Sequence, residues 1–231
     1  MRAILLSAGI GKRLRPITKK IPKCLVKVKK KPIIDIWIDE LVEKNKIKSI
    51  LINTHYLSQK VYSHVKKNKY KKKIKLIYED QLYGTAGTLI NNLDFFKNEE
   101  GLLIHCDNYC EEGLKNFIKS FKAMPKNCLM SMLTFRTKKP EKCGIVKINK
   151  KNIVVKFQEK KRTNLGNLAN GAIYILSKKL IKILKNKNKT VDNFSTQIIP
   201  KMINKIYTYE TKAFFIDIGT LGNLKKANKH L

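Results

Sequence analysis

The first apolar stretch of the chain runs straight into a loop rich in glycine and arginine. In "MRAILLSAGIGKRLRPITKKIPKCL", Ala3 to Leu6 lead to Gly9, Gly11, Arg13 and Arg15, with Lys23 ten residues past Arg13. Glycine lacks a Cβ, so the amides of Ala8 to Gly11 can turn inward and approach an oxyanion closely. Arg13 can add charge-assisted bonds to the same group. The alternative is an ordinary tight turn with solvated charges. Two other phosphate loops fit less well. Leu14 stands where a dinucleotide fingerprint needs its third glycine, and the second strand ends in Asn53 rather than in the acid that would bind a ribose. The Gly-Lys-Ser/Thr ending of a Walker loop is missing.

Short apolar runs alternate with amphipathic segments through the first half of the chain. Strands are predicted at 3–7, 49–53, 74–78 and 102–106, with helices at 32–43, 58–67 and 86–93 between them. This β-α-β alternation implies a mainly parallel sheet with helices on both faces. Ligands of such sheets gather at the carboxyl ends of the strands, where the Gly9/Gly11 loop and Asp107 both lie. The texture changes after a further strand at 129–135. "GIVKINKKNIVVKFQEK" gives a hairpin signal around 149–152, and "NGAIYILS" another strand. Helices are predicted at 178–184 and 192–203, "KIYTYE" and "AFFIDI" as a closing strand pair, and a terminal helix at 221–230. With no repeat and no linker-like segment, one domain over 1–231 is expected.

Composition narrows the function classes. No apolar run approaches a membrane span, no signal-peptide pattern opens the chain, and a cytoplasmic protein is expected. The five cysteines, Cys24, Cys106, Cys110, Cys128 and Cys143, are odd in number and scattered, which suits a reducing compartment. Zinc at His105, Cys106 and Cys110 would lack a second cluster. The formal charge of +33 invites a nucleic-acid reading, yet only five of the fifty basic residues are arginine. The lysines are spread over every segment, as a coding bias towards lysine and asparagine would leave them. Such a field still speeds the arrival of a polyanionic small substrate.

Segments spread over nearly the whole chain resemble the sugar-1-phosphate nucleotidylyltransferases. "LSAGIGKRLRPITKKIPKCLVKV" is similar to that family's Gly-x-Gly-x-Arg-Leu signature and its following Pro-Lys-Pro block. "YGTAGTL" resembles the corresponding segment of mannose-1-phosphate and manno-heptose-1-phosphate guanylyltransferases. "HCDN", "CGIVKI…VVKFQEK", "NGAIYIL" and "FFIDIGT" follow in the family's order. The departures are Cys24 for the second proline, Cys106 for the glycine before the aspartate, Lys12 for a common threonine, and "GTLGNL". None removes a charged group.

The resemblance implies a Rossmann-like α/β fold with a mixed, mainly parallel sheet. Its nucleotide-binding half would be 1–125 and its sugar-phosphate half 126–231. It also implies in-line attack of a sugar-1-phosphate oxygen on the α-phosphorus of a nucleoside triphosphate, in the service of polysaccharide or glycoconjugate synthesis. The nucleophile is already anionic, so no general base is needed; the obstacle is bringing two polyanions together. A chain with four histidines and fifty basic residues suits that chemistry. By the same resemblance Asp107 and Asp217 would ligate Mg²⁺, Lys23 would contact the α-phosphate and Arg13 the leaving phosphates. Catalysis would rest on Arg13, Lys23 and Asp107. Ser7, Ala8, Gly9, Gly11, Lys12, Arg13, Glu79, Gly84 and Thr85 would bind the nucleotide. Asn108, Gly144, Glu159, Lys160 and Asn170 would bind the sugar phosphate.

The base follows from chemistry. Guanine alone presents two adjacent donors, N1–H and the 2-amino group, and an acceptor-only carboxylate can take both. Glu79 or Asp80, just before Gly84 in the segment that the resemblance implies faces the base, would be the reader, which favours GTP. A CTP- or UTP-dependent enzyme acting on another phosphorylated acceptor stays open. So do a basic nucleic-acid-binding protein on the same fold, an enzyme-derived regulatory subunit, and a homodimeric assembly.

Overall fold

The computed structural model describes residues 1–160, 165–186 and 190–230. The strands in chain order are β1 (Arg2–Leu6), β2 (Lys27–Val28), β3 (Lys31–Pro32), β4 (Ile50–Thr54), β5 (Ile74–Tyr78), β6 (Gly101–His105) and β7 (Asn108–Cys110). They continue with β8 (Met130–Arg136), β9 (Gly144–Ile148), β10 (Val154–Glu159), β11 (Leu168–Leu176), β12 (Ile206–Glu210) and β13 (Phe215–Asp217). The helices are α1 (Ile17–Lys20), α2 (Ile33–Ile38), α3 (Ser58–Lys66), α4 (Gly84–Asn91), α5 (Lys115–Phe121), α6 (Lys178–Lys185) and α7 (Leu221–Lys229).

Nine of these strands form one mixed sheet whose main path runs β10-β9-β11-β6-β1-β4-β5, with β8 branching from β11 and β12 pairing with β8. The first half is parallel: β1 lies between β4 and β6, and β5 extends β4. The central strands are apolar on both faces because helices cover both. Ala3 and Leu5 join Ile50, Ile52, Leu102 and Ile104 in the core beneath α2, α3 and α5. Ile4, Leu51 and Leu103 point the opposite way, into the core under α4, α6 and Phe194. Each fully buried Leu or Ile contributes roughly 1.5–3 kcal/mol of transfer free energy, and the two-residue alternation sends successive residues into opposite cores.

The second half is built around β11, which runs antiparallel to β6, β8 and β9. Its pairing with β8 is interrupted between Asn170 and Tyr174, where Ala172 takes φ 52°. The predicted hairpin is present: Asn149 Oδ1 accepts from the amides of Lys151 and Ile153, and β9 pairs with β10. The predicted closing pair is not. β12 lies parallel to β8, and Thr211 N prolongs that ladder by donating to Thr134 O. β13 instead pairs with β7 in a separate two-stranded sheet. The helix predicted at 192–203 is two short helical turns, Phe194–Ile198 and Ile199–Met202, divided near Pro200, which has no N–H to continue the first. Among the described residues no helix is long and apolar enough to cross a membrane.

Candidate active site

A cleft of about 260 Å³ opens at the carboxyl ends of β1, β4 and β6. Ser7, Ala8 and Gly9 form one wall. Ser7 N donates to Asn53 Oδ1 at 2.7 Å and Ser7 Oγ to Asn53 O at 2.5 Å, which pulls the loop across the end of β4. A Cβ on Gly9 would meet nothing within 4 Å, so its backbone faces open space. Gly11 works differently. At φ +70° it turns the chain, its carbonyl accepts from Thr18 Oγ1 at 2.7 Å, and a Cβ there would press on Thr18 Cγ2 at 2.9 Å. The turn then exposes Lys12 and Arg13 at the rim while Leu14, where a third glycine was missing, anchors it in the core.

The charged centre is assembled from three distant segments. Lys23 Nζ and the Asp107 carboxylate form a close ion pair. Ile218 N donates to Asp107 O at 2.9 Å, and β13 sets Asp217 opposite Asn108, so the ladder brings the two aspartates side by side. Arg13 Nη2 lies 3.8 Å from Asp217 Oδ2. Gly219 marks the point of convergence. A Cβ there would be 2.7 Å from Asp217 Oδ1, 3.0 Å from Arg13 Nη2 and 3.1 Å from Lys23 Nζ. Burial works to raise the Asp107 pKa, but Lys23, with His105 helping, outweighs it and holds the group below the ordinary range. Asp217 is pushed up, first by burial and then by the charge of Asp107, with Lys23 and Arg13 opposing. Two carboxylates sharing too little positive charge, each with hard oxygen donors, are a set that suits a divalent cation. Among the described residues no cluster of three or more His, Cys, Asp or Glu side chains could hold a metal, so substrate oxygens would complete the shell.

Cys24, Cys106 and His105 also line the cleft. Burial pushes the Cys24 thiol up to about 12 and the Cys106 thiol well above its usual value. Burial thus favours the neutral thiol at both positions. Burial lowers the His105 pKa, and its Nε2 is buried with no hydrogen-bond partner among the described residues.

On the far wall, Glu79 lines the cleft, whereas Asp80 faces solvent and accepts from Tyr83 Oη and Gln81 N. Gly84 and Thr85 line it too, but each also meets the chain behind. Gly84 adopts φ +73°, and a Cβ on it would lie 2.3 Å from Asp192 O; Thr85 Oγ1 accepts from Phe194 N at 2.9 Å. Gly84→Ala is therefore expected to lose about 3 kcal/mol from backbone strain plus overpacking. That is a fall in Tm of about 6–12 °C, readable by calorimetry. A Tm within 2 °C or so of the parent would show that the carbonyl moves aside.

The sugar-phosphate candidates divide into two groups. Gly144 faces Glu159 across the β9–β10 ladder, and a Cβ on it would lie 2.6 Å from Glu159 Oε2. Lys160 Nζ is 3.4 Å from Glu159 Oε1. Burial pushes the neighbouring Cys143 thiol up, and the fields of Asp217, Glu159 and Lys160 all reach it, so this cluster adjoins the charged centre. Asn108 and Asn170 use their amides inside the protein. Asn108 Nδ2 donates to Gly171 O at 2.9 Å; Asn170 Nδ2 donates to Tyr174 Oη at 2.7 Å, while its Oδ1 accepts from Ala172 N. Together they pin the irregular part of β11. Asn53, Leu82, Thr88 and His105 also line the cleft, although no motif in the sequence assigns them to it. A polar Asn53 closing the apolar run "ILIN" was the available signal.

The chain matches the family described as Nucleotidyl transferase over residues 2–231. It is 28% identical over 220 residues to D-glycero-alpha-D-manno-heptose 1-phosphate guanylyltransferase of Campylobacter jejuni, with 95% of each chain covered. The structure of HddC from Yersinia pseudotuberculosis complexed with GMP-PN superposes with a TM-score of 0.80 at 26% identity, covering 99% of this chain and 98% of that one. A Bacillus anthracis structure assigned as a glucose-1-phosphate thymidylyltransferase superposes with a TM-score of 0.85 at 23% identity, covering 99% and 94%, a likeness of fold. Against several other curated relatives the chain spans 54–62% of their length.

Proposed function

This chain belongs to the nucleotidyl transferase family, and from that premise we propose that it transfers GMP from GTP to a hexose or heptose 1-phosphate, releasing pyrophosphate, with Mg²⁺ as its metal. The observation that carries the reading is the meeting of Arg13 Nη2, Lys23 Nζ and the Asp217 carboxylate around Gly219, beside Asp107 and at the edge of the Ser7–Gly9 wall. Cations set against two carboxylates at the end of a glycine loop are what two phosphate groups and a divalent ion need in order to meet.

In this reading the backbone of Ala8 and Gly9 approaches the triphosphate. Lys23 stabilises charge that develops on the α-phosphate, and Arg13, exposed at the rim, holds the departing β and γ groups. An oxygen of the sugar phosphate attacks the α-phosphorus. A new P–O bond forms as the bond to the β-phosphate oxygen breaks, and the electron pair leaves with pyrophosphate. Held by Asp107 and Asp217, Mg²⁺ would supply Lewis-acid neutralisation of the phosphate oxygens. Glu159 and Lys160 would take a sugar hydroxyl and the sugar phosphate. With three donors, the Lys23 ammonium can reach the substrate while it keeps its pair with Asp107.

The guanine preference rests on Glu79, a buried carboxylate lining the cleft. The Campylobacter and Yersinia proteins, by name and by bound ligand, support it. The test is pyrophosphate release from GTP, ATP, CTP and UTP, each with and without mannose 1-phosphate, glucose 1-phosphate or a heptose 1-phosphate. Release should need both substrates and favour GTP by at least about tenfold, the value of one well-made hydrogen bond to a charged group. Release without any sugar phosphate would overturn the transferase reading, and a pyrimidine preference would overturn the role of Glu79.

A further inference from the structure

We propose that Asn53 and Thr88, which the family resemblance gave no role, are the positioning residues that make Glu79 selective for the 2-amino group of guanine; this rests on the guanine reading above. Glu79 is 1% exposed, and among the described residues its side chain pairs with the neutral Asn53 and Thr88. Asn53 Nδ2 donates to its Oε1 at 2.9 Å and Thr88 Oγ1 donates to the same oxygen at 2.6 Å. Asn53 Nδ2 also donates to Thr88 Oγ1 at 3.2 Å, and Asn53 Oδ1 accepts from Ser7 N at 2.7 Å. The amide of Asn53 is thus fixed from both ends. Flipping it would forfeit the bond from Ser7 and set its oxygen against the carboxylate.

Both donors fall on Oε1, and among the described residues Oε2 is left as the acceptor offered to a ligand. The carboxylate is buried and lines the cleft, so its charge waits for donors that a ligand must bring. Guanine brings N1–H and a 2-amino group. Hypoxanthine brings N1–H alone, and a pyrimidine carbonyl at that place would meet a negative charge. Selectivity then depends on how firmly Oε2 is aimed. Asn53 at the end of β4 and Thr88 on α4 hold it from two sides, and Ser7 ties the same network to the phosphate loop. A purely structural role for these bonds, joining β4, β5 and α4, would weaken every nucleotide alike.

The experiment is calorimetric titration of the full chain with GTP and with ITP in the presence of Mg²⁺. It is run on the parent and on Asn53→Ala, Thr88→Val and Thr88→Ser. The parent should bind GTP about tenfold or more tightly than ITP. Asn53→Ala and Thr88→Val should bring the two within about threefold, mainly by weakening GTP, while Thr88→Ser, which keeps the hydroxyl, retains the preference. An unchanged GTP/ITP ratio in Asn53→Ala and Thr88→Val, or an equal loss for both nucleotides, overturns the inference and leaves the guanine reading standing. A parent that binds both equally removes the guanine reading itself. Thermal unfolding accompanies each titration, and if Asn53→Ala does not fold, the contrast between Thr88→Val and Thr88→Ser decides.

Discussion

Asp107→Ala should reduce pyrophosphate release by about a thousandfold, the scale seen when a preorganised electrostatic partner is removed from a transferring group. Two effects combine. The metal loses one of its two protein carboxylates, and Lys23, 14% exposed, loses the partner that aims it. Lys23→Met separates the two, since it leaves both carboxylates in place. Its loss should not be relieved by raising Mg²⁺, whereas part of the loss in Asp107→Asn should be. The two aspartates also differ in what they do for folding. Asp107 titrates below the ordinary range in the folded chain, so its stabilisation is present above the unfolded carboxyl range and disappears as pH falls through its folded pKa. Asp107→Asn should lower the Tm of the metal-free protein at pH 7. An active Asp107→Ala enzyme would remove the metal assignment.

Asp217→Asn should lose activity on the same thousandfold scale and yet gain thermal stability when no metal is present. Burial and Asp107 raise the Asp217 pKa, with Lys23 and Arg13 only partly opposing. For a carboxyl whose folded pKa is raised, the favourable contribution is complete below the unfolded pKa and is lost as pH rises through the folded one. At pH 7 the ionised group is therefore a cost that a neutral isostere removes, a small one because the side chain is 43% exposed and water screens it. Asparagine keeps an oxygen for the 2.6 Å bond from Gly219 N. The gain in Tm should shrink as the buffer is acidified towards the carboxyl range, and it should reverse when Mg²⁺ is added, because only the parent binds it tightly. Equal loss of Tm at pH 7 and pH 4 would mean that Asp217 serves packing instead. Protons compete for the same carboxylate, so metal affinity should begin to fall at a higher pH than it would for a site of ordinary acids.

Much of this was legible in the chain because local and global signals agree. Ala3 to Leu6 followed by Gly9 and Gly11 reads as a strand ending in a ligand loop, and that is where the cleft lies. Asn149 and Asn152 mark a hairpin because the side chain of the first bonds to the turn amides and the second takes a left-handed φ. What escaped depends on contacts between distant segments. Neighbouring strands pair by default, so "KIYTYE" and "AFFIDI" read as partners; in the fold β8 takes the first and β7 the second. That separation is what carries Asp217 to Asp107. No spacing rule places Lys23, Asp107 and Asp217 together; the family's motif order pointed to them, and the ladder between β7 and β13 supplies the geometry. Gly84 read as a nucleotide contact. The pressure of the Asp192 carbonyl behind it comes from a segment more than a hundred residues away in sequence, which no local pattern announces. Asn53 was read only for the acid it was not, yet it is the hub joining Ser7, Glu79 and Thr88.

The central claim is that Lys23, Arg13 and the two aspartates form one site for a metal-bound triphosphate. Titrating the intact chain with GTP, with and without Mg²⁺, tests it most directly. The account expects saturable one-to-one heat with the metal and binding weaker by about tenfold or more without it, with a comparable loss in Asp107→Ala. Silence with GTP, ATP, CTP and UTP alike at millimolar Mg²⁺ would contradict it.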